Sequence, residues 1–203
     1  MRGGAARPPV DTRRRILDSA VRLFAERGYA GTSVRDIADE LAITKAAVHY
    51  HFAAKDQIVA ALLEPMLHQF GTVLDEAAAR AYDPRGLLLG VRDVLLESGP
   101  LLSVLGNDPS LGAPNRELHE RVVALETRAA QLLAGPEGGP HQLLRARCAL
   151  VAFLAGWKAR SGAPPAGAPD AGAPDAVELE VVLAAALAVL GGPARQLLRT
   201  LSA

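Results

Sequence analysis

The sequence predicts an all-α protein with a small N-terminal three-helix head of helix-turn-helix type and a larger helical domain behind it. Three observations carry that prediction. Apolar residues recur three and four apart in nearly every segment, and no stretch shows the two-residue alternation of a strand. Residues 32–56, TSVRDIADELAITKAAVHYHFAAKD, read as two short helices around a tight turn. Half of the residues are hydrophobic but only 4% are aromatic, so the core must be built from Leu, Val and Ala.

Taken in order, residues 1–10 (Arg, Gly, Ala, Pro) read as a disordered arm, either a solvated tail or a carrier of phosphate contacts through Arg2 and Arg7. A first helix is expected from Asp11 to Arg27, with Ile16, Leu17, Ala20, Leu23 and Phe24 on one face. Gly28 then suits a left-handed C-cap. Ser33 and Asp36 form a Ser-x-x-Asp pattern like a capping box, and Thr44 can cap the next helix. Val34, Ile37, Ala38 and Leu41, then Ile43, Ala47 and Val48, supply the buried side. The outward side keeps Lys45, Ala46, His49 and Tyr50, with His51 and Lys55 just beyond.

A fourth helix is expected from Lys55 to about Ala81. Pro65 inside it removes the donor to the Ala61 carbonyl, so the helix either kinks or breaks in two. Pro84–Gly106 reads as an apolar helix bent at Gly99-Pro100, and 106–114 as a turn or a very short helix. Asn115–Ala134 carries a heptad stripe of Leu118, Val122, Leu125, Ala129 and Leu132. Residues 141–160 are apolar nearly all round, which requires a helix sandwiched within the core or between core and partner. Residues 162–175, with a tandem AGAPD repeat, read as a surface linker. Helices at 176–190 and 193–201 complete roughly nine or ten helices.

The formal net charge is zero, but it is unevenly spread: residues 1–60 carry ten Arg and Lys against seven Asp and Glu, and the remainder twelve against fifteen. The basic head coincides with the helix-turn-helix. A single cysteine, Cys148, forbids an intrachain disulfide and fits a reducing cytoplasm. The N-terminus has no apolar signal core, and Val181–Leu190, the longest apolar run, is too short to span a bilayer. No Ser/His/Asp, Cys/His, paired-carboxylate or phosphate-cradling pattern stands out, so neither an enzyme nor a cofactor is expected. His49 and His51, two apart on a helix, point to different faces, so no metal site is expected either.

From Ile16 to Leu62 the chain is similar to the TetR family of bacterial transcriptional regulators. The resemblance rests on Ala20, Leu23 and Phe24 in the first helix, on Gly28, Tyr29, Thr32, Ser33 and Val34 at the entry, on Ile37-Ala38 in the second helix, and on Tyr50-His51-Phe52 closing the third. It covers about a quarter of the chain. Two positions depart from the family pattern. Ala42 stands where Gly commonly makes the turn, at a cost of roughly 1 kcal/mol if the position is left-handed. His49 stands where a larger apolar or aromatic residue is more frequent.

The resemblance implies a DNA-binding domain over 11–57 and an effector-binding and dimerisation domain over 58–203. It also implies a homodimer on a palindromic operator and release by a small molecule. In a recognition helix the first residues lie nearest the base edges. Lys45 is therefore expected at guanine O6 or N7, and Ala46 at a thymine methyl. Tyr50, His51 and Lys55 are expected at phosphates, and Thr32, Ser33 and Arg35 at the backbone, with Arg35 also able to reach a base. Each has a second reading: Ser33 and Thr44 as caps, Tyr50 packed on the first helix, His51 as a structural hydrogen-bonder beneath Phe52.

Helices 141–160 and 176–190 are the apolar elements suited to a dimer interface. Polar residues near the apolar stripes, Arg92, Asn107, Asp108, His119, Glu126, Cys148 and Trp157, are the candidates for touching an effector, which the leucine-rich lining suggests is apolar. Cys148 has the alternative of a buried small hydrophobe. The competing reading of the whole chain is a DNA-binding architectural or nucleoid-associated protein that has the same head and no effector.

Overall fold

The computed structural model describes residues 11–105, 116–161 and 176–190. The expected arm at 1–10, the turn at 106–114 with Asn107 and Asp108, the linker at 162–175 and the terminal helix at 193–201 lie outside these residues, as does the side chain of Trp157. Nine α-helices and no strand occur among the described residues. The chain divides between Leu62 and Leu63 into two compact units.

The first unit contains α1 (Thr12–Arg27), α2 (Val34–Glu40), α3 (Lys45–His51) and the start of α4 (Lys55–Ala79). Its interior is built by Ile16, Ala20, Leu23 and Phe24 of α1, Ile37 and Ala38 of α2, Val48 of α3, and Ile58 and Val59 of α4, with Phe52 and Tyr29 from the connections. The Phe24 and Tyr29 rings meet edge to face with centroids 5.5 Å apart. α1 begins where the Asp11 carboxylate accepts from the Arg14 amide at 3.2 Å, so Asp11 is the cap and not the first helical residue. α1 stops at Gly28, whose φ of 73° is positive as expected. Its ψ of 166° is extended, however, so the cap is not left-handed helical and the chain leaves straight toward Tyr29. Gly31 is required by proximity: a Cβ there would strike the Arg27 carbonyl oxygen.

The second unit holds the rest of α4, α5 (Pro84–Glu97), α6 (Gly99–Leu105), α7 (Arg116–Ala134), α8 (Pro140–Ser161) and α9 (Ala176–Val189). α4 runs unbroken through Pro65, so of the two alternatives, kink or break, the break does not occur. The single bent helix expected over 84–106 is instead two, because α5 closes at Ser98, whose amide donates back to Val94, and α6 restarts at Gly99-Pro100. Asp83 caps α5 with Pro84 in its first turn. The core joins Phe70 and Leu74 of α4, Leu87, Leu88, Val91 and Leu95 of α5, Ala129 and Leu133 of α7, Ala149, Leu150 and Phe153 of α8, and Leu183, Ala186 and Leu187 of α9. The heptad stripe of α7 is only half-buried except at Ala129, and Leu133 is its most deeply placed leucine. No helix among the described residues is long and apolar enough to cross a membrane.

Candidate nucleic-acid interface

The turn between α2 and α3 is closed by backbone geometry. The Ala42 amide donates to the Asp39 carbonyl at 3.2 Å and the Ile43 amide to the Ala38 carbonyl at 3.0 Å, the paired bonds of a Schellman motif. That motif requires a left-handed residue, and Ala42 supplies it at φ 53°. α2 opens with a complete capping box: the Ser33 hydroxyl accepts from the Asp36 amide, and the Asp36 carboxylate accepts from the Ser33 amide at 2.7 Å and from its hydroxyl. These Ser33 bonds, helped by Arg27, hold the Asp36 carboxyl below its ordinary pKa. Thr44 caps α3 by accepting from the Ala47 amide at 3.1 Å.

α1 fixes the far end of α2. The Ser19 hydroxyl donates to Glu40 at 2.7 Å and the Arg22 guanidinium to its other oxygen at 2.7 and 3.1 Å, and together they lower the Glu40 pKa, Ser19 contributing most. A second tie joins the α1–α2 connection to α4. The Lys55 ammonium donates to the carbonyls of Tyr29 and Thr32 at 2.6 and 2.7 Å and lies 3.9 Å from the centroid of the Tyr29 ring. The Tyr29 hydroxyl in turn donates to Asp56 at 2.6 Å.

These ties revise two of the expected contacts. The Thr32 side chain is buried, its hydroxyl within reach of the Leu23 and Gly28 carbonyls at 3.2 and 2.9 Å, so it cannot meet a phosphate. Lys55 commits at least two of its three donors to the head's own backbone. Neither role was visible in sequence: the Lys55 partners lie 26 and 23 residues away, and a buried threonine tie calls for the same residue type as a phosphate contact.

The remaining candidates stand at the surface. Val48 turns inward and is completely buried, which leaves Lys45, Ala46, His49 and Tyr50 exposed along one side of α3 at i, i+1, i+4 and i+5. Tyr50 is 86% exposed, so it does not pack on α1. His51 is half-buried with its ring edge-on to Tyr50 at 5.1 Å. The His49 Nδ1 lies 3.1 Å from the Ala53 carbonyl oxygen. Arg35 is exposed and only loosely paired with Asp39 at 3.6 Å, a surface contact that it can exchange for a phosphate at little cost. Ser33 and Thr44 are exposed caps, free to touch a phosphate as well. A feature absent from the sequence reading is Arg13, whose guanidinium lies over the Phe52 ring at 5.1 Å.

In the second unit four effector candidates, Arg92, His119, Glu126 and Cys148, have described side chains. Arg92 is half-buried and bonded to its neighbour Asp93, while His119 and Glu126 are exposed. Cys148 is exposed, which corrects its reading as a buried hydrophobe. None of these four lines either of two clefts found there. One, of about 470 Å³, lies among the end of α4, the start of α5 and the end of α7, with Val73, Ala77, Tyr82, Leu87 and Leu132 in its walls. The other, of about 360 Å³, lies between α4 and α7 over Leu67, Gly71, Ala124 and Leu125. α4 and α7 are joined by a two-pronged pair between Arg121 and Glu64 at 2.7 and 2.9 Å and by Arg128 with Asp75 at 2.7 Å. Along α8, Leu144, Cys148, Val151, Ala152 and Ala155 are exposed on one side, and along α9, Val181, Ala185 and Ala188.

Residues 16–62 match the family model for bacterial regulatory proteins of the tetR family. The chain is 33% identical over 73 residues to the HTH-type transcriptional regulator BetI of Brucella anthropi, a match covering 36% of this chain and 38% of that one. It is 36% identical over 88 residues to the HTH-type transcriptional repressor KstR2 of Rhodococcus jostii, covering 40% and 43%. The chain thus spans less than half the length of these curated relatives. Among solved structures, the TetR family transcriptional regulator PfmR of Thermus thermophilus superposes with a TM-score of 0.62 at 24% identity, over 88% of this chain and 98% of that one.

Proposed function

Since the chain belongs to the TetR family of bacterial regulatory proteins, we propose that it is a DNA-binding transcriptional regulator, acting as a repressor on a palindromic operator. The observation that supports this reading most directly is the outward row of α3, Lys45, Ala46, His49 and Tyr50. It is a small exposed surface held by a capped, twice-tied scaffold. In the proposed complex α3 enters the major groove, Lys45 reads guanine, and Ala46 meets a thymine methyl. Ser33, Arg35, Thr44, Tyr50 and His51 take phosphates and set register without carrying sequence information.

The head extends over 11–57 and the effector and dimerisation domain over 58–203 in this reading. Two copies associate through α8 and α9, whose exposed Leu144, Val151 and Val181 need a cover that a second copy supplies. Two heads then address half-sites about one helical turn apart. Release comes from a small molecule that must bind one arrangement of the heads better than the other, since equal affinity shifts nothing. The cleft lined by Tyr82 and Leu132, whose walls also hold Glu76, Arg80, Asp83 and Arg128, is the candidate place for it.

The test is a gel shift of the full chain on the DNA upstream of its own coding sequence, repeated at several salt concentrations. A specific complex that persists where binding to unrelated DNA has vanished supports the reading; equal salt loss on both reduces it to charge attraction. In sedimentation, Val151→Asp should convert a dimer to a monomer. An unchanged dimer would place the interface elsewhere.

A further inference from the structure

We propose that His49 presents a hydrogen-bond acceptor to DNA and thereby selects a base with an exocyclic amine, cytosine or adenine, in each half-site. The proposal rests on α3 being the recognition helix. A carbonyl oxygen can only accept, so the ring nitrogen 3.1 Å from the Ala53 carbonyl, Nδ1, carries the hydrogen and donates it. In the neutral ring the other nitrogen, Nε2, is then a bare lone pair.

The arrangement is built into the α3–α4 junction. Buried Phe52 ends α3 with its amide donating to the Val48 carbonyl at 2.9 Å, and the Ala53 amide donates to the Gln57 side-chain oxygen at 2.8 Å. The residue whose carbonyl sets the tautomer is thus anchored through its own amide and through the residue before it.

A lone pair excludes most of what DNA offers. Phosphate oxygens accept only, as do guanine O6 and N7 and thymine O4; the major-groove donors are cytosine N4 and adenine N6. Lys45 on the same face has donors and no acceptor, so the two residues read complementary chemistry. They stand four residues apart, about 6 Å along the helix, which corresponds to roughly two base-pair steps. A larger apolar or aromatic residue at this position would bring no nitrogen acceptor.

The experiment selects duplexes from a random pool at pH 8 with the full chain and with His49→Ala, a surface change. The wild-type half-site should contain one position restricted to cytosine or adenine that His49→Ala leaves unrestricted. That base is then replaced by its amine-free analogue, 2-pyrimidinone for cytosine or unsubstituted purine for adenine. The substitution should weaken wild-type binding about fivefold beyond its effect on His49→Ala, the worth of one hydrogen bond. Equal weakening of both proteins would overturn the proposal. So would a His49→Ala protein that loses affinity on every sequence alike with a salt slope shallower by about one, the mark of a phosphate contact. If the wild type enriches no sequence at all, the regulator reading fails together with this proposal; enrichment without a His49-dependent amine position overturns this proposal alone.

Discussion

The two units of the chain hold their shape by different means. In the head, polar side chains close the structure: Asp11, Ser33 and Thr44 cap helices, Ser19 and Arg22 clasp Glu40, and Lys55 clasps two carbonyls. In the second unit the core cluster is apolar throughout, the ion pair of Arg121 with Glu64 lies at the surface, and among the described residues part-buried polar links such as Tyr82 to the Leu133 carbonyl are few beside it. One unit depends on particular donors and acceptors and the other on volume. The first therefore leaves a readable signature in the sequence and a defined outward face. The second tolerates many sequences and announces little about what it binds.

The largest expected effects test that contrast directly. Phe153, fully buried among α8's contacts, should cost about 4 kcal/mol when cut to Ala, through lost contacts and a residual cavity. Phe153→Leu, which keeps most of the volume, should cost under about 1.5 kcal/mol. In the head, Thr32→Val keeps the volume entirely yet removes the one hydroxyl hydrogen that the Gly28 carbonyl accepts, with the Leu23 carbonyl also in reach, at a cost of about 2 kcal/mol. Hydrogen exchange on the full chain localises each loss to its unit. A Thr32→Val protein as stable as wild type would break the contrast, because volume alone would then suffice in the head too.

The same contrast explains how much could be read from sequence. The caps at Ser33 and Thr44, the turn at Ala42, the inward Val48 and the outward Lys45 were legible, because each depends on neighbours three or four residues away. The inward commitment of Thr32 and Lys55 was not, since a buried tie and a surface phosphate contact call for the same residue types. The ends of α5 and α6 were misplaced for a simpler reason: the apolar period runs on through Ser98, and only the backbone decides whether proline two residues later bends or splits the run. The effector candidates are polar residues beside apolar stripes. Helical period specifies a residue's face and not which faces meet, and Arg92, His119, Glu126 and Cys148 line neither described cleft.

Within the head, two lysines with different surroundings give effects of intermediate size. Lys45→Ala should flatten discrimination between an operator and its mutated form by roughly 1–3 kcal/mol, the value of a good base contact. Lys55→Ala should leave the ratio intact while weakening both complexes, because it loosens the Tyr29 and Thr32 carbonyls that position α2 and α3. It should also lower the stability of the head without DNA, which a mere phosphate contact would not do. Titrations on the two duplexes, paired with unfolding curves, separate the outcomes. A Lys55→Ala head of wild-type stability would return Lys55 to the phosphate role.

The smallest effect concerns the turn itself. Ala42 holds φ 53° inside the Schellman closure, where its Cβ crowds the following carbonyl, and glycine would remove that crowding. Glycine also frees the unfolded chain, which offsets part of the gain. Ala42→Gly should therefore stabilise the head by only about 0.5 kcal/mol. That slowing of exchange should be confined to amides of α1, α2 and α3, with the protection of α7, α8 and α9 unchanged. Protection gained equally in α8 and α9 would mean that the two units unfold as one. The head's polar ties and the second unit's apolar core would then be supports of a single cooperative structure, and the division drawn at Leu62 and Leu63 would describe its contacts without describing its stability.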